Sequence, residues 1–319
     1  YDPYLLYDSQ WTQLDDAGFF EDLTRWMEAD NSKPLERIRP SVLRQMQKNG
    51  GIYRLPLTYT ILTYAADPEQ LSDNKPETVL RASEQGGEEF YPFAFNLDYS
   101  PQMAERCAID YVDAAQGTCN FECDSFYAQL ALLRRQKAAL DTLPKNLDVA
   151  DIRDGLLYYY VILSADSIVY QPGRYGYPEL KQSVYYAYPS DHDGGCQLEF
   201  GSLLSINTQS EQKSGAWAFL SYLLSDACQQ SVNYLPVSDT VLQEQFAQLL
   251  AEETVTQEDI DTFYTLVDHA QKLDYPTEPI EQIIEEEMAA YLDGVIDEKT
   301  TAERIQSRAG LYLMEQKLE

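Results

Sequence analysis

Long hydrophobic runs are missing from this sequence of 319 residues. No stretch of about 18 or more apolar residues occurs, so the sequence predicts no membrane-spanning helix. The chain opens at Tyr1-Asp2-Pro3, without the basic and apolar segments of a signal peptide. That opening leaves two interpretations, a cytosolic protein or a chain that has been trimmed at its amino terminus.

Basic residues are scarce as well. The chain has 23 Lys and Arg against 53 Asp and Glu, which gives a formal net charge of -30. Phosphate groups are bound by clustered Lys and Arg, so this balance argues against nucleic acid as a partner. An anionic membrane surface would repel the chain for the same reason. The charge otherwise predicts a self-repelling, soluble molecule and does not identify a ligand.

Histidine is nearly absent, with only His192 and His269 available as a base. A nucleophile needs a base within reach, and no Gly-x-Ser-x-Gly, phosphate-binding loop, dinucleotide fingerprint or His-Glu-x-x-His motif occurs. His269 stands among Leu266, Val267 and Ala270. This setting favours a structural role in the packed stripe of a helix over a catalytic one.

The patterns that could hold a metal or a disulfide are weak. Five cysteines are an odd number and too few for a disulfide scaffold, so we expect most of them to be free. Cys119-x-x-x-Cys123 has no second pair at zinc-type spacing. Asp191-His192-Asp193 offers oxygen and nitrogen donors, but three consecutive residues rarely converge on one ion, and a polar loop is favoured. We expect neither a metal nor a cofactor.

The most informative stretch runs from Gly201 to Pro236. Leu203–Ile206 predicts a short strand, and a polar break at 207–214 follows it. The next residues have helical periodicity. The apolar stripe predicted for this helix consists of Ala216, Phe219, Leu220, Leu223, Leu224 and Ala227, with Ser221, Ser225 and Asp226 facing solvent.

Strand-like and helix-like segments alternate along the rest of the chain. Tyr59–Tyr64 predicts a strand, and 124–140 predicts a helix with Phe126, Leu130 and Leu133 on one side. Near the carboxyl terminus, 279–292 and 301–313 predict two helices. Within the first of these, Glu285, Glu286 and Glu287 are expected to be its solvated face. The fold class predicted from this alternation is α/β.

Three of these segments, taken with their particular residues, resemble family 1 extracellular solute-binding proteins, the carbohydrate receptors of ABC importers. The segments are Gly215-Ala-Trp-Ala-Phe-Leu-Ser-Tyr-Leu-Leu-Ser225, Gly51-Ile-Tyr-Arg-Leu-Pro56, and Ile280-Glu-Gln-Ile-Ile-Glu-Glu-Glu287. The chain departs from the family at Ala65, where Asn is usual. It also lacks the leader and first strands that normally precede the strand after Asp2.

The resemblance implies a two-lobed periplasmic-binding-protein-like fold of type II, with a hinge between the lobes. Lobe one would comprise 1–65 and 200–240, and lobe two 66–199 and 241–319. The implied function is capture of a carbohydrate or oligosaccharide in a cleft between the lobes, for delivery to ABC permease subunits. It also implies a non-enzymatic monomer at the outer face of a bacterial cell, lipid-anchored in the full-length protein.

A sugar site needs flat aromatic rings and groups that hydrogen-bond hydroxyls, and the chain is rich in Tyr, with 25 residues. In α/β sheets the ligand lies beyond the carboxyl ends of the strands. The residues expected there are Tyr7, Asp8, Gln10, Trp11, Tyr59, Thr60, Gln171, Arg174, Tyr175, Asp191, Asp193 and Tyr275.

Two alternatives remain open at this point. A carboxylate-based hydrolase acting on glycans would need a pair of cleft acids, and with 53 acidic residues such pairs are unavoidable in the sequence. A degenerate interaction module would keep the fold without a ligand or a transport role. The sequence identifies neither the sugar nor the permease.

Overall fold

The computed structural model describes residues 14, 17–48, 50–87, 91–94, 99–113, 116–142, 155–169, 184–191, 196–270 and 278–316. Their elements are helices and a mixed sheet, so the predicted α/β class is confirmed. The helices, in chain order, are α1 (Thr24–Ala29), α2 (Pro34–Arg37), α3 (Pro40–Met46), α4 (Pro76–Gln85), α5 (Tyr99–Asp110), α6 (Asp124–Asp141), α7 (Lys213–Leu223), α8 (Asp226–Gln229), α9 (Asp239–Ala251), α10 (Gln257–Asp268), α11 (Glu278–Leu292) and α12 (Glu298–Gln316). The strands are β1 (Thr58–Ala66), β2 (Tyr91–Ala94), β3 (Val112–Asp113), β4 (Thr118–Cys119), β5 (Gly155–Ile162), β6 (Val184–Tyr186), β7 (Gln197–Gly201) and β8 (Leu235–Pro236).

The chain divides into two compact units. Unit 1 comprises Tyr1–Leu62, Val161–Tyr170 and Gly195–Leu273, and unit 2 comprises Thr63–Tyr160, Gln171–Gly194 and Asp274–Glu319. The lobe division expected from the sequence differs from these units at 63–65, which it placed in lobe one, and at 161–170, 195–199 and 241–273, which it placed in lobe two. Helices α9 and α10 belong to unit 1, and the centroids of their Phe246 and Phe263 rings lie 4.9 Å apart.

In unit 1 the first half of β1 pairs antiparallel with β7 and with β8. The strand predicted at 203–206 is not a regular strand. Isolated bridges join Leu204 to Leu55 and Asn207 to Phe20. The regular strand of this region is β7, which precedes the predicted one in the chain. Next to the bridge at Phe20, the buried carboxylate of Glu21 accepts a hydrogen bond from Lys213 Nζ at 2.7 Å. This bond ties the segment that contains Phe20 to the start of α7.

The apolar stripe predicted for α7 is wrong at Phe219, whose exposed fraction is 58%, and at Ala227, which is exposed and lies in α8 beyond the end of α7. Trp217 is buried instead, together with Leu220 and Leu224. Its indole Nε1 donates to Asp30 Oδ2 at 3.0 Å, and its ring lies 6.3 Å from that of Trp26. A helix of this length buries one face only, and the anchored indole determines which face it is.

Arg39 holds α3 to the end of α10 in unit 1. Its Nε and Nη2 donate to the two carboxylate oxygens of Asp268 at 2.8 and 2.5 Å, and Ser41 Oγ donates to the same carboxylate at 2.8 Å. The Arg39 guanidinium also stacks 4.1 Å from the ring centroid of Tyr264. The predicted place of His269 in a packed stripe is wrong, because α10 ends at Asp268 and His269 is exposed just beyond it.

The Arg39 hydrogen bond, with that of Ser41, lowers the pKa of Asp268 below its ordinary value, although partial burial opposes the shift. A carboxyl group with a depressed folded pKa stabilises the fold above the unfolded pKa of about 3.9, and this contribution is lost as pH falls through the folded pKa. We therefore expect Asp268→Asn to be less stable than wild type at pH 7, with the difference shrinking below about pH 4. Melting temperatures measured from pH 7 to pH 2.5 check this, and a difference that does not change with pH would contradict it.

In unit 2 the strand order is β2-β5-β1-β6, with β2 parallel to β5 and the second half of β1 antiparallel to β6. Helices α4, α5, α6, α11 and α12 pack around a core that includes Phe93, Phe121 and Phe126. The prediction that Glu285–Glu287 form a solvated face is wrong at Glu287. This side chain is buried and accepts hydrogen bonds from Arg304 at 3.4 Å and Arg308 at 2.8 Å.

Two glutamines serve as hydrogen-bonding partners of strand backbone in unit 2. Gln136 of α6 accepts from the Phe93 N–H at 3.1 Å and donates to the Phe93 carbonyl at 2.8 Å. Gln306 of α12 accepts from the Phe121 N–H at 2.7 Å and donates to the Cys119 carbonyl at 3.0 Å. Each amide satisfies one donor and one acceptor that a neighbouring strand would otherwise satisfy.

Candidate functional site

Three of the residues predicted to contact a ligand lie in the described part of the chain, namely Tyr59, Thr60 and Asp191. The first two are consecutive on β1 in unit 1, and Asp191 follows β6 in unit 2. The remaining predicted residues lie outside the described residues and stay predictions: Tyr7, Asp8, Gln10, Trp11, Gln171, Arg174, Tyr175, Asp193 and Tyr275.

Tyr59 and Thr60 point to opposite faces of β1, because side chains alternate along a strand. Tyr59 lies on the core face of unit 1 with 2% of its surface exposed, and burial raises the pKa of its hydroxyl. Thr60 is half-buried, and its Oγ1 atom has no hydrogen-bond partner among the described residues. Thr60 keeps more accessible surface than Tyr59, but its Oγ1 atom is itself inaccessible to solvent.

Asp191 is exposed at the end of a loop that unit 2 holds firmly. The Ser190 N–H donates to the Asn74 carbonyl at 3.0 Å, and Asn74 Nδ2 donates to the Tyr188 carbonyl at 3.0 Å. Buried Gln129 donates to the Pro189 carbonyl at 2.6 Å. These bonds fix the backbone on which the Asp191 carboxylate is presented, which reduces the entropy that a ligand contact would cost.

Unit 2 also presents a pair of tyrosines that the sequence-based prediction missed. In the antiparallel register Tyr64 lies opposite Tyr186 and Ala65 lies opposite Tyr185, so Tyr185 is on the face away from Tyr64 and the core. The Tyr185 ring lies 6.1 Å from that of Tyr160, at an interplanar angle of 35°. Both tyrosine side chains are half-buried. The tyrosines of β5 and β6 were visible in the sequence, but which of them face outward depends on the register.

A groove of about 430 Å³ lies elsewhere in unit 2, lined by α4, α6, Tyr291 and Glu298. Its two arginines already have internal roles. Arg134 stacks 4.0 Å from the Tyr291 ring centroid, and Arg135 donates to the carbonyls of Ser83 and Gly87 at the end of α4. This groove is therefore a weaker candidate for a ligand site than the tyrosine pair.

The chemistry of the candidate site is that of binding polar, hydroxyl-rich molecules. Tyr160 and Tyr185 offer flat apolar rings with hydroxyl groups, and Asp191 offers a carboxylate acceptor.

The described residues contain no group of three His, Cys, Asp or Glu side chains that could hold a metal ion. None of the described helices has the length and apolar composition of a membrane-spanning segment. All five cysteines are free.

No protein-family model and no curated protein matches the chain. Among solved structures, the sugar-binding protein MalE from Xanthomonas citri is 13% identical, with a TM-score of 0.63 over 96% of this chain and 82% of that one. The cyclic α-maltosyl-1,6-maltose binding protein from Arthrobacter globiformis is 14% identical, with a TM-score of 0.58 and coverage of 94% and 81%. A family 1 extracellular solute-binding protein from Alicyclobacillus acidocaldarius is 16% identical, with a TM-score of 0.56 and coverage of 94% and 81%.

At this level of identity the likeness concerns the architecture of the chain. It extends over nearly all of this chain and over about four fifths of each of the three solved chains. The sequence resemblance noted above pointed to the same group of proteins from separate segments. The chain has the two-lobed periplasmic-binding-protein fold, as that resemblance implied.

Proposed function

We propose that this protein is a family 1 extracellular solute-binding protein that captures a carbohydrate or oligosaccharide and delivers it to an ABC importer. The observation that carries the proposal is the likeness to a sugar-binding protein across 96% of the chain. In this proposal the protein works as a lipid-anchored monomer at the outer face of a bacterial cell. It binds its ligand without changing it chemically.

The Tyr160–Tyr185 pair supports the proposal. Sugar rings have apolar C–H faces that pack against aromatic rings, and their hydroxyls need hydrogen-bonding groups beside those rings. We propose that the pair forms a stacking platform in unit 2. The residues predicted from the sequence, with Trp11 as the first choice, would complete the ligand contacts.

Thermal unfolding in the presence of neutral mono- and oligosaccharides tests the proposal. A ligand at about 100 times its dissociation constant stabilises the folded state by about 2.7 kcal/mol, so a saturable rise in melting temperature is expected with one class of sugar. Chromatography of the recovered sugar should show it uncleaved. Cleavage would instead indicate a hydrolase, and the absence of any saturable shift across the panel would contradict the receptor proposal.

Tyr160→Ala is expected to weaken binding of the identified sugar about tenfold, because it removes one ring of the platform and about 1.4 kcal/mol of stacking and burial. Titration calorimetry measures the change. Tyr234→Ala is the matched control, since Tyr234 of unit 1 is 50% exposed and is not part of the pair. Equal losses in the two variants would refute the platform.

A further inference from the structure

The groove of about 430 Å³ in unit 2 follows one face of α6. Five of its lining residues recur at the three- and four-residue spacings of a single helical face: Ala131, Arg134, Arg135, Ala138 and Thr142. At 1.5 Å per residue this face is about 16 Å long. Helix α4 adds Leu80 and Glu84 to the lining, and the neighbouring helices α11 and α12 add Tyr291 and Glu298.

Arg134 is held in this groove with the edge of its guanidinium free. The guanidinium stacks 4.0 Å from the ring centroid of Tyr291, which is only 1% exposed. Such stacking uses the flat face of the group and leaves the N–H donors on its edge available. The Arg134 side chain is exposed and forms no hydrogen bond or ion pair with any residue in the described ranges. A planar fork held in this way matches the two oxygens of a carboxylate.

Two carboxylates line the same groove without a cationic partner. Glu84 is exposed and Glu298 is half-buried, and neither carboxylate is paired within the part of the chain that the structure describes. Burial raises the pKa of the Tyr291 hydroxyl to about 12, against the charge of Arg134 and together with that of Glu298. Arg134 and Glu298 thus act on one hydroxyl without pairing with each other.

This arrangement of charges discriminates among ligands. A simple anion would meet the carboxylates of Glu84 and Glu298 in a protein of net charge -30, and a simple cation would meet Arg134. A sugar would find no free aromatic face, because the Arg134 guanidinium covers the Tyr291 ring. A molecule that has both charges, several ångströms apart, satisfies both signs at once.

We propose that this groove is a second ligand site, which binds short peptides with free termini. The terminal carboxylate of the peptide accepts two hydrogen bonds from the Arg134 fork. The terminal ammonium lies against the carboxylates of Glu84 and Glu298, which accept hydrogen bonds from it.

The size and lining of the groove suit such a ligand. A tripeptide in extended conformation spans about 10 Å, which fits along the helical face of about 16 Å. Leu80 and Ala131 supply apolar contacts for the peptide side chains. The groove shares no residue with the Tyr160–Tyr185 pair, so this inference does not depend on the proposed capture of a sugar.

Titration calorimetry on the full chain tests the inference with trialanine as the probe. Two blocked forms separate the contributions of its termini: trialanine amide lacks the carboxylate, and N-acetyl-trialanine lacks the ammonium. Wild type is expected to bind trialanine and to bind each blocked form at least tenfold more weakly. If wild type does not bind trialanine, or binds both blocked forms equally well, the inference is overturned.

Arg134→Gln should weaken the binding of trialanine about tenfold and leave that of trialanine amide unchanged, because the amide lacks the group that Arg134 binds. At least one of Glu84→Gln and Glu298→Gln should weaken trialanine and spare N-acetyl-trialanine. Arg44→Gln is the matched control, since it removes an exposed arginine of α3 in unit 1 and should change neither affinity.

Melting temperatures without peptide show whether each variant is folded, and the blocked forms test the wild-type protein even where a variant is not. Wild-type affinity for trialanine in folded Arg134→Gln would contradict the assigned site. The sugar panel is measured separately on the same protein, so a failure of this inference leaves the receptor proposal standing.

Discussion

Phe263→Ala is expected to destabilise unit 1 by about 3–5 kcal/mol, the usual cost of removing a fully buried phenylalanine ring. Phe263 has no exposed surface, and its ring centroid lies 4.9 Å from that of Phe246 and 5.5 Å from that of Tyr264. Both contacts are edge-on, an arrangement that adds stabilisation beyond the burial of area. Tyr264 in turn supports Arg39, so the cavity would also loosen the junction of α3 with α10.

Denaturant unfolding followed by fluorescence and circular dichroism measures this loss, and the melting temperature should fall by about 10 °C. Phe219→Ala is the control. It deletes the same ring from α7, where 58% of the side chain is exposed, and should change the free energy of unfolding by no more than about 0.5 kcal/mol. Similar losses in the two variants would show that Phe263 is not a core residue.

Gln136→Leu is expected to cost about 2–5 kcal/mol, although it replaces a polar side chain in a buried position by an apolar one of similar size. Gln136 is 2% exposed, and its amide satisfies both the N–H and the carbonyl of Phe93 on β2. Leu would remove the hydrogen bonds that Gln136 makes to both backbone groups in a buried position, at about 1–3 kcal/mol each. The gain from an extra apolar side chain is smaller than this cost.

Gln282→Leu on α11 is the control for this variant, because Gln282 is exposed and bonds only to Glu286 within the described residues. It should leave the unfolding midpoint nearly unchanged. Amide hydrogen exchange gives a second measurement, since the Phe93 N–H should lose protection in Gln136→Leu and keep it in the control. Wild-type stability in Gln136→Leu would mean that water or another group replaces the amide at no cost.

Helical periodicity predicted the helices well where one face meets a single core. Ile280, Ile284 and Met288 are buried at every fourth position of α11, within the helix predicted at 279–292. The prediction failed for α7 because two stripes compete there. Phe219 and Trp217 are both large and apolar, and the choice between them depends on Asp30, a residue 187 positions away in sequence that accepts from the indole.

The candidate site was less predictable than the helices. The sequence pointed to Tyr59 and Thr60 together, as residues expected at a strand end, and the alternation of β1 turns Tyr59 into the core. Tyr185 carries no motif at all. Its direction away from the core follows only from the register between β1 and β6, two strands that are more than 110 residues apart in the chain. Local patterns do not encode such a register unless one face is strongly apolar.

Gln136, which binds the backbone of β2, affects the tendency of the protein to self-associate at high concentration. Among the described strands β2 is the last in the order β2-β5-β1-β6, and unpaired backbone groups on a terminal strand are a template on which a second molecule can add its own strand. By occupying both groups of Phe93, Gln136 blocks that template at its centre. The same amide that stabilises the native sheet thus protects the protein from intermolecular strand addition and aggregation.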